Sequence, residues 1–528
     1  MSLSAQQLPD SIDELKEIIV SKSKTIDFFQ LRIQFLEEKN RYLRSKLFGR
    51  KSEKHIDIDD TQLQLFDELE EIVEQELAEE ETIVIPSHKR KKTGRKPLPQ
   101  NLPRVDVIHD LSDEEKVCTC GCEMDKIGEE VSEKLDIIPA KVRVIRNIRL
   151  KYACKKCEGI ESDTGAVKTA PVPAQILPKS IATSGLLSHI VISKFADALP
   201  LYRQEKIFSR TGIDISRATM ANWLMQGAQK CQPLAELLEQ QIRSGPLINI
   251  DETTVQVLNE PGRSNTSKSY MWVFRGGPPD APVLMYQYHP SRSGKIPDDF
   301  LGNYNGYVQT DAYSGYDALG RRVGIILVGC WSHARRKFAE VIKARQKNKN
   351  LKQKTGSAEV AINFISKLYA IEKHAKTNNL SFEQIYDLRQ EKSKPILNDF
   401  KKWLDQRISQ TPPKGLLGQA MSYTLNQWSK LIVYIEDGRL KPDNNLAENA
   451  IRPFVFGRKN WLFSGHPRGA KASAIFFSLI ETAKANGLEP YSYLRYIFNY
   501  LPLAKTTADY EKLLPQEIDQ KKLIDFAL

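Results

Sequence analysis

Three carboxylates stand out by where they fall in the chain. Residues 247–251 read as a strand that ends in Asp251, followed by Glu252 and Thr253, and residues 306–310 read as a strand that runs into Asp311. If those strands are neighbours in one sheet, Asp251 and Asp311 can hold a pair of hard cations, because Mg²⁺ prefers oxygen ligands and keeps positions open for phosphate. A third ligand must come from elsewhere. Asp443-Asn444-Asn445-Leu446-Ala447-Glu448-Asn449-Ala450-Ile451-Arg452 supplies one, and on a helix Asn444, Glu448 and Arg452 share a face. The window 441–471 holds six basic residues and two acids, Asp443 and Glu448. Glu448 is thus an acid in a basic surround. A salt bridge to Arg452 is the structural alternative to metal ligation.

A second group of residues suits a different metal. Of the seven cysteines, five are Cys118, Cys120, Cys122, Cys154 and Cys157. Two turn-borne thiol groups flanking a strand-rich stretch suit a tetrahedral Zn²⁺ site, where the metal supplies folding energy that a small core lacks. Five thiols compete for four places, and spacing does not choose among them. Between the groups, Val142, Val144, Ile148 and Leu150 alternate with Arg143, Arg146 and Arg149 as a strand with one basic face.

The elements that must position the carboxylates follow from the surrounding pattern. Strands are expected at 247–251, 269–274, 283–288, 306–310 and 323–328, with a helix near 297–303, a small one near Tyr316 and another from Cys330-Trp331-Ser332-His333-Ala334-Arg335-Arg336. Three strands, helix, strand, helix, strand, helix is the order of a ribonuclease-H-like mixed α/β layer. Residues 340–440 read as a helical insertion without a chemical motif. Upstream, residues 199–210 and 216–226 flank Thr211-Gly212-Ile213 as a helix-turn-helix, with Asp214 or Ser216 as cap and Arg217, Thr219, Asn222 and Gln226 outward.

The N-terminal region carries other signals. Ile12, Leu15, Ile19, Ile26, Phe29, Ile33, Leu36, Leu43 and Leu47 recur at alternating steps of three and four, the seam of a coiled coil, with polar Lys22 and Asn40 in it. Residues 56–85 hold twelve acids and no Lys or Arg, and without them the net charge of the 528-residue chain rises from +11 to +23. Gly94-Arg95-Lys96-Pro97 follows, a segment of the type that lays basic side chains into a minor groove. No apolar run is long enough to span a bilayer, and there is no secretory h-region or disulfide framework. The expectation is a soluble, cytoplasmic protein that binds nucleic acid.

These motifs together resemble the transposases of the insertion sequence 66 family. The likeness runs from the coiled coil and Gly-Arg-Lys-Pro through Gly128-Glu129-Glu130-Val131-Ser132-Glu133. It is most specific at Asp443-Asn444-Asn445, Glu448, Arg452-Pro453 and Gly457-Arg458-Lys459-Asn460-Trp461-Leu462-Phe463. The resemblance implies a multidomain α+β protein. Its parts would be a coiled coil (1–55), an acidic then basic linker (56–104), a zinc-binding domain (105–170) and a helix-turn-helix region (171–243). A ribonuclease-H-like catalytic core (244–480, insertion 340–440) and a helical tail (481–528) would follow.

The resemblance also implies an Asp251–Asp311–Glu448 triad holding Mg²⁺ (or Mn²⁺) for two-metal phosphoryl transfer, and His333 matches the family pattern. Cys-Thr-Cys-Gly-Cys departs from the family's usual pair of cysteines. Double-stranded DNA, both element ends and target, is the implied partner. Arg95, Lys96, Arg217, Asn222, Arg335, Arg336, Asn445, Arg452, Arg458, Lys459 and Arg468 would contact it, and Trp461 would stack on a base. The chain would work in the bacterial cytoplasm at the nucleoid, as a homodimer or higher oligomer, beside small companion proteins of the same element. Two other readings share parts of the pattern. A zinc-dependent DNA-binding regulator needs no triad, and a ribonuclease-H-like nuclease without strand transfer needs no end-binding modules.

Overall fold

The computed structural model describes residues 11–48, 142–153, 167–344 and 356–526. The chain divides into two compact units, Thr82–Val172 and the remainder, Met1–Glu81 with Pro173–Leu528. Arg95, Lys96 and the five clustered cysteines lie outside the described residues.

In the smaller unit β1 (Lys151–Ala153) pairs antiparallel with β2 (Val167–Thr169), Tyr152 facing Lys168. The alternation at 142–150 does not make the expected strand. That stretch has no regular secondary structure and its side chains are exposed, Val144 to 90%. Alternation alone makes no strand without a ladder, and no partner strand faces it among the described residues; Arg149 Nε instead donates to Ala170 O at 2.6 Å.

The larger unit begins with α1 (Ile12–Phe48), 37 residues without Gly or Pro. Its seam residues Ile19, Ile26, Phe29, Ile33, Leu36 and Leu43 are all exposed. Four helices follow: α2 (Ser184–Phe195), α3 (Leu201–Arg210), α4 (Arg217–Lys230) and α5 (Gln232–Ile242). Gly212, at φ +77°, turns the chain between α3 and α4, a left-handed conformation that suits glycine. Of the two candidate caps it is Ser216 that serves α4, its Oγ accepting from the Thr219 amide at 3.2 Å. Met220, Trp223, Leu224 and Ala228 are buried, whereas Arg217, Thr219, Asn222 and Gln226 are exposed.

A mixed sheet then forms from β3 (Leu247–Val257), β4 (Lys268–Gly276), β5 (Val283–His289), β6 (Gly306–Gln309) and β7 (Ile325–Val328), with α6 (Lys295–Leu301) between β5 and β6. The order is β5-β4-β3-β6-β7. The first three strands are antiparallel; β6 is parallel to β3, and β7 to β6. β3 runs six residues past Asp251, so that aspartate is mid-strand rather than terminal, because the β4 ladder continues to Gln256–Lys268.

α7 (Trp331–Ala344) leaves the sheet, and α8 (Ser357–Thr377), α9 (Phe382–Leu388), α10 (Lys394–Ile408), α11 (Leu416–Asn426) and α12 (Trp428–Leu431) follow. These helices have a core of their own, including Trp331, Phe338, Ile362, Ile365, Phe400 and Met421. At its base the buried Arg389 pairs with Glu372 at 2.7 Å and donates to the carbonyls of Tyr434, Asp437 and Leu440.

The chain returns to the sheet through α13 (Asn445–Trp461), β8 (Phe463–Ser464), α14 (Pro467–Ala485) and α15 (Pro490–Tyr500). β8 pairs with the end of β3. α14 closes the β5 edge: the Leu284 amide donates to Thr482 Oγ1 at 3.0 Å and the Tyr286 amide to Ser478 Oγ at 2.8 Å. Two helix hydroxyls thereby satisfy edge groups that would otherwise seek another strand.

Candidate active site

The register of the sheet brings the first two carboxylates together. Asn249 of β3 pairs with Gln309 of β6 in a parallel ladder. Asp251 and Asp311 each lie two residues further on, so the period of two directs both to the same face. Each carboxylate is held locally: Asp251 Oδ1 accepts from the Glu252 amide at 2.8 Å and Asp311 Oδ1 from the Tyr313 amide at 2.9 Å.

Glu448 arrives on the first turn of α13, where the helix dipole favours a negative charge. It is not neutralised by Arg452, which is exposed; its ionic neighbours are His333 Nδ1 at 3.6 Å and Arg336 Nη2 at 3.7 Å. The shared helical face expected of Asn444, Glu448 and Arg452 divides by burial. Asn444 is the N-cap, 1% exposed, and turns into the sheet.

A buried amide clamp ties the three segments together. Asn249 Nδ2 donates to Gln309 Oε1 at 2.9 Å and to Asn444 Oδ1 at 3.0 Å. Asn444 Nδ2 donates to Ile250 O at 2.9 Å, and Gln309 Nε2 to the carbonyls of Gly329 and Lys441. The clamp therefore joins β3 two residues before Asp251, β6 two residues before Asp311, and α13 four residues before Glu448. Asp443 braces the same corner, accepting from the Asn445 amide at 3.1 Å and from Tyr369 Oη at 2.9 Å.

The electrostatics are those of crowded acids. Burial, then Glu252, with smaller contributions from Glu448 and Asp311, pushes Asp251 up to about 8. Burial also raises Glu252, but Tyr316 and Arg292 oppose the rise. Tyr316 Oη donates to one oxygen of Glu252, while Arg292 Nη2 holds the other at 2.5 Å and lies 3.8 Å over the Tyr313 ring. Glu252 is thus spoken for, and Asp251, Asp311 and Glu448 remain for a ligand. The chemistry of the three suits a divalent cation, while the donor atoms that lie within 4.8 Å of one another among the described residues are those of Glu448, His333 and Cys330. The three carboxylates offer hard oxygens, their mutual repulsion falls when a cation arrives, and Glu448 Oε1 is shielded from solvent without a hydrogen-bond partner.

The described residues among those expected to contact DNA fall into two groups. Arg217, Asn222, Arg336, Arg452, Lys459 and Arg468 are exposed. The others are engaged inside the protein. Arg335 is 3% exposed on the buried side of α7, so that orientation removes it from a DNA surface. Arg458 donates to Thr253 Oγ1 and Thr254 Oγ1, each at 3.1 Å, and to Thr254 O, locking α13 to β3. Asn445 is half-buried. Trp461 is a packing residue here: it lies against Phe195, Phe454 and Phe477, with Lys194 Nζ 4.4 Å from its ring centroid. Its indole folds back over Gly457, where a Cβ would lie only 2.0 Å from the ring. The exposed apolar side chains at this end of α13 are Phe456, Leu462 and Phe463.

Sequence reasoning missed Asn249, Gln309, Arg292 and Tyr316. A signal for the first two exists: each is a polar residue in an apolar strand run, two positions before an aspartate. Arg292 and Tyr316 are brought in by loops and carry no such spacing.

Four family models match this chain. The model described as "Transposase IS66 family" covers residues 179–472, and "zinc-finger binding domain of transposase IS66" covers 115–158. "Transposase C of IS166 homeodomain" covers 35–107, and "IS66 C-terminal element" covers 478–516. "Uncharacterized protein y4jD" of Sinorhizobium fredii is 32% identical over 547 residues, spanning 98% of both chains. "Uncharacterized protein y4hP" of the same organism is 31% identical over 502 residues, spanning 91% of this chain and 88% of its own length. A mixed α/β core with a transposase signature, preceded by zinc-finger and helical regions, defines the class. The chain belongs to the IS66 family of transposases.

Proposed function

We propose that the protein binds the ends of an insertion element, cleaves DNA there and joins the freed 3′-hydroxyls to target DNA. The observation that carries this reading is the convergence of Asp251, Asp311 and Glu448 from two adjacent strands and a distant helix. The strand order supports a ribonuclease-H-like core. Mg²⁺ (or Mn²⁺) held by these carboxylates would supply activation of the attacking oxygen and stabilisation of the leaving one.

The chain's own residues do the rest. The clamp keeps the carboxylates at fixed separation, so little reorganisation is needed when phosphate arrives. Arg336, Arg452, Lys459 and Arg468 neutralise phosphates near the site, and the open face of α4, with Arg217 and Asn222, reads the element end. Arg95 and Lys96 extend the contact along the duplex. Four of the five clustered cysteines hold a structural Zn²⁺, in keeping with the zinc-finger match at 115–158. The exposed seam of α1 pairs two copies, so that two element ends are held at once.

The test is incubation of the full chain with element-end DNA, a target plasmid and Mg²⁺. The expected result is cutting at the ends followed by joined products. Sequence-blind cutting without joining would favour a nuclease, and tight binding without cutting a regulator; either overturns the proposal.

A further inference from the structure

A second donor set meets at Glu448, and its chemistry differs from that of the aspartates. Cys330, His333 and Glu448 each offer an atom, and these atoms lie within 4.8 Å of one another. His333 Nδ1 and Glu448 Oε1 are 3.6 Å apart, too far for a hydrogen bond, and both are shielded from solvent with no hydrogen-bond partner. Two shielded acceptor-capable atoms facing each other across such a gap are costly unless something sits between them.

Donor atoms on one tetrahedral ion lie about 3.3–3.6 Å apart, given bonds of about 2.0 Å to nitrogen or oxygen and about 2.3 Å to sulfur. The His333–Glu448 spacing is close to that, and the thiol needs only a small approach. The local backbone holds the three in place. Cys330 and His333 flank the start of α7, and the Asn444 amide, at the start of α13, donates to Cys330 Sγ at 3.3 Å. Asn444 also belongs to the amide clamp, so the sulfur is tied to the same scaffold as the carboxylates.

We infer that Cys330, His333 and Glu448 form a site for a soft divalent cation such as Zn²⁺, separate from the hard-cation site and sharing Glu448 with it. Thiol, imidazole and carboxylate are a zinc donor set, whereas Mg²⁺ takes neither sulfur nor imidazole readily. Glu448 Oε1 is the oxygen that faces His333, so it is committed to the second ion when that ion binds. Occupancy by Zn²⁺ holds Glu448 toward α7 and withdraws it from Asp251 and Asp311, so the ion acts as an inhibitor. That inhibitory consequence rests on the transposase reading; the metal site does not.

The experiment is a Co²⁺ titration of the full-length protein without DNA, read by the thiolate-to-cobalt charge-transfer absorption. The clustered cysteines contribute equally in every variant, so the difference between wild type and Cys330→Ser isolates the new site. The expected result is one additional thiolate–cobalt equivalent in wild type, absent in Cys330→Ser and weakened at least about tenfold in His333→Ala. His333→Ala keeps the buried sulfur in place and still decides the matter if Cys330→Ser folds poorly. Identical titrations for wild type and His333→Ala, or no difference between wild type and Cys330→Ser, overturn the inference. A parallel arm measures Zn²⁺ inhibition of Mg²⁺-supported end cleavage. Loss of cleavage under all conditions would count against the transposase reading, while the cobalt spectra would still decide the site.

Discussion

Asp251 is kept at a cost. Its carboxyl is pushed up from an ordinary value of 3.8 to about 8, chiefly by burial. A folded-state value above the unfolded one favours the protonated form. The stability it contributes is therefore full below about pH 4 and is lost as pH rises through about 8. Asp251→Asn removes the titration and keeps the shape. Without added divalent cation, it is expected to make the protein more stable than wild type by several kcal/mol near pH 9, with little difference near pH 4. Urea denaturation at the two pH values checks this, and a pH-independent difference would contradict it. The three acids were legible in the sequence because each breaks a local trend, an acid closing an apolar run or standing alone among bases. Arg335 shows the converse. Residue type suggested DNA contact, but burial depends on which side of a helix meets the core, and α7 turns Arg335 inward.

At the scale of elements, the site depends on how β3, β6 and α13 are fastened. Asn249, Gln309 and Asn444 are each 1% exposed or less, and they hydrogen-bond to one another and to the backbone inside the protein. Asn444→Ala leaves Asn249 short of an acceptor and Ile250 O short of a donor. The expected loss is about 1–3 kcal/mol of stability. A raised Mg²⁺ requirement should accompany it, because the first turn of α13 no longer has its anchor. Denaturation together with a Mg²⁺ titration of end cleavage checks both. Unchanged Mg²⁺ dependence would reduce the clamp to a folding role. The sheet itself was readable from strand-length apolar runs and turn residues. The length of β3 was not, because its outer half alternates buried and exposed positions and is defined by pairing with β4. The clamp escaped notice because periodicity counts apolar residues, and its members are polar.

For the whole molecule, charge and exposed apolar surface point the same way. The net charge of +11 combines an acidic segment with a body of +23, a balance suited to a polyanionic partner. Along α1 the described seam side chains are exposed, Ile26 and Ile33 each to 56%. A stripe of that kind on one helix is stable in water when a second copy covers it. The full chain is expected to be a dimer or larger by light scattering, and Ile26→Asp with Ile33→Asp to dissociate it without unfolding the body. A wild-type monomer at micromolar concentration would contradict this. The coiled-coil pattern was legible because a heptad is a purely local signal. The insertion was legible only as helices, since its separate core, built around Trp331 and Phe400, joins residues distant in sequence.

The most direct measurement is end cleavage and strand joining by Asp311→Asn beside wild type, in Mg²⁺, with DNA binding measured on the same preparations. Asp311 is partly exposed and its Oδ1 accepts one amide hydrogen bond, which asparagine preserves. The expected outcome is cleavage and joining by wild type, and element-end binding unchanged but cleavage reduced at least about a thousandfold in the variant, the scale lost when a group that stabilises the transition state is removed. Cleavage by Asp311→Asn at the wild-type rate would contradict the assignment of the three carboxylates.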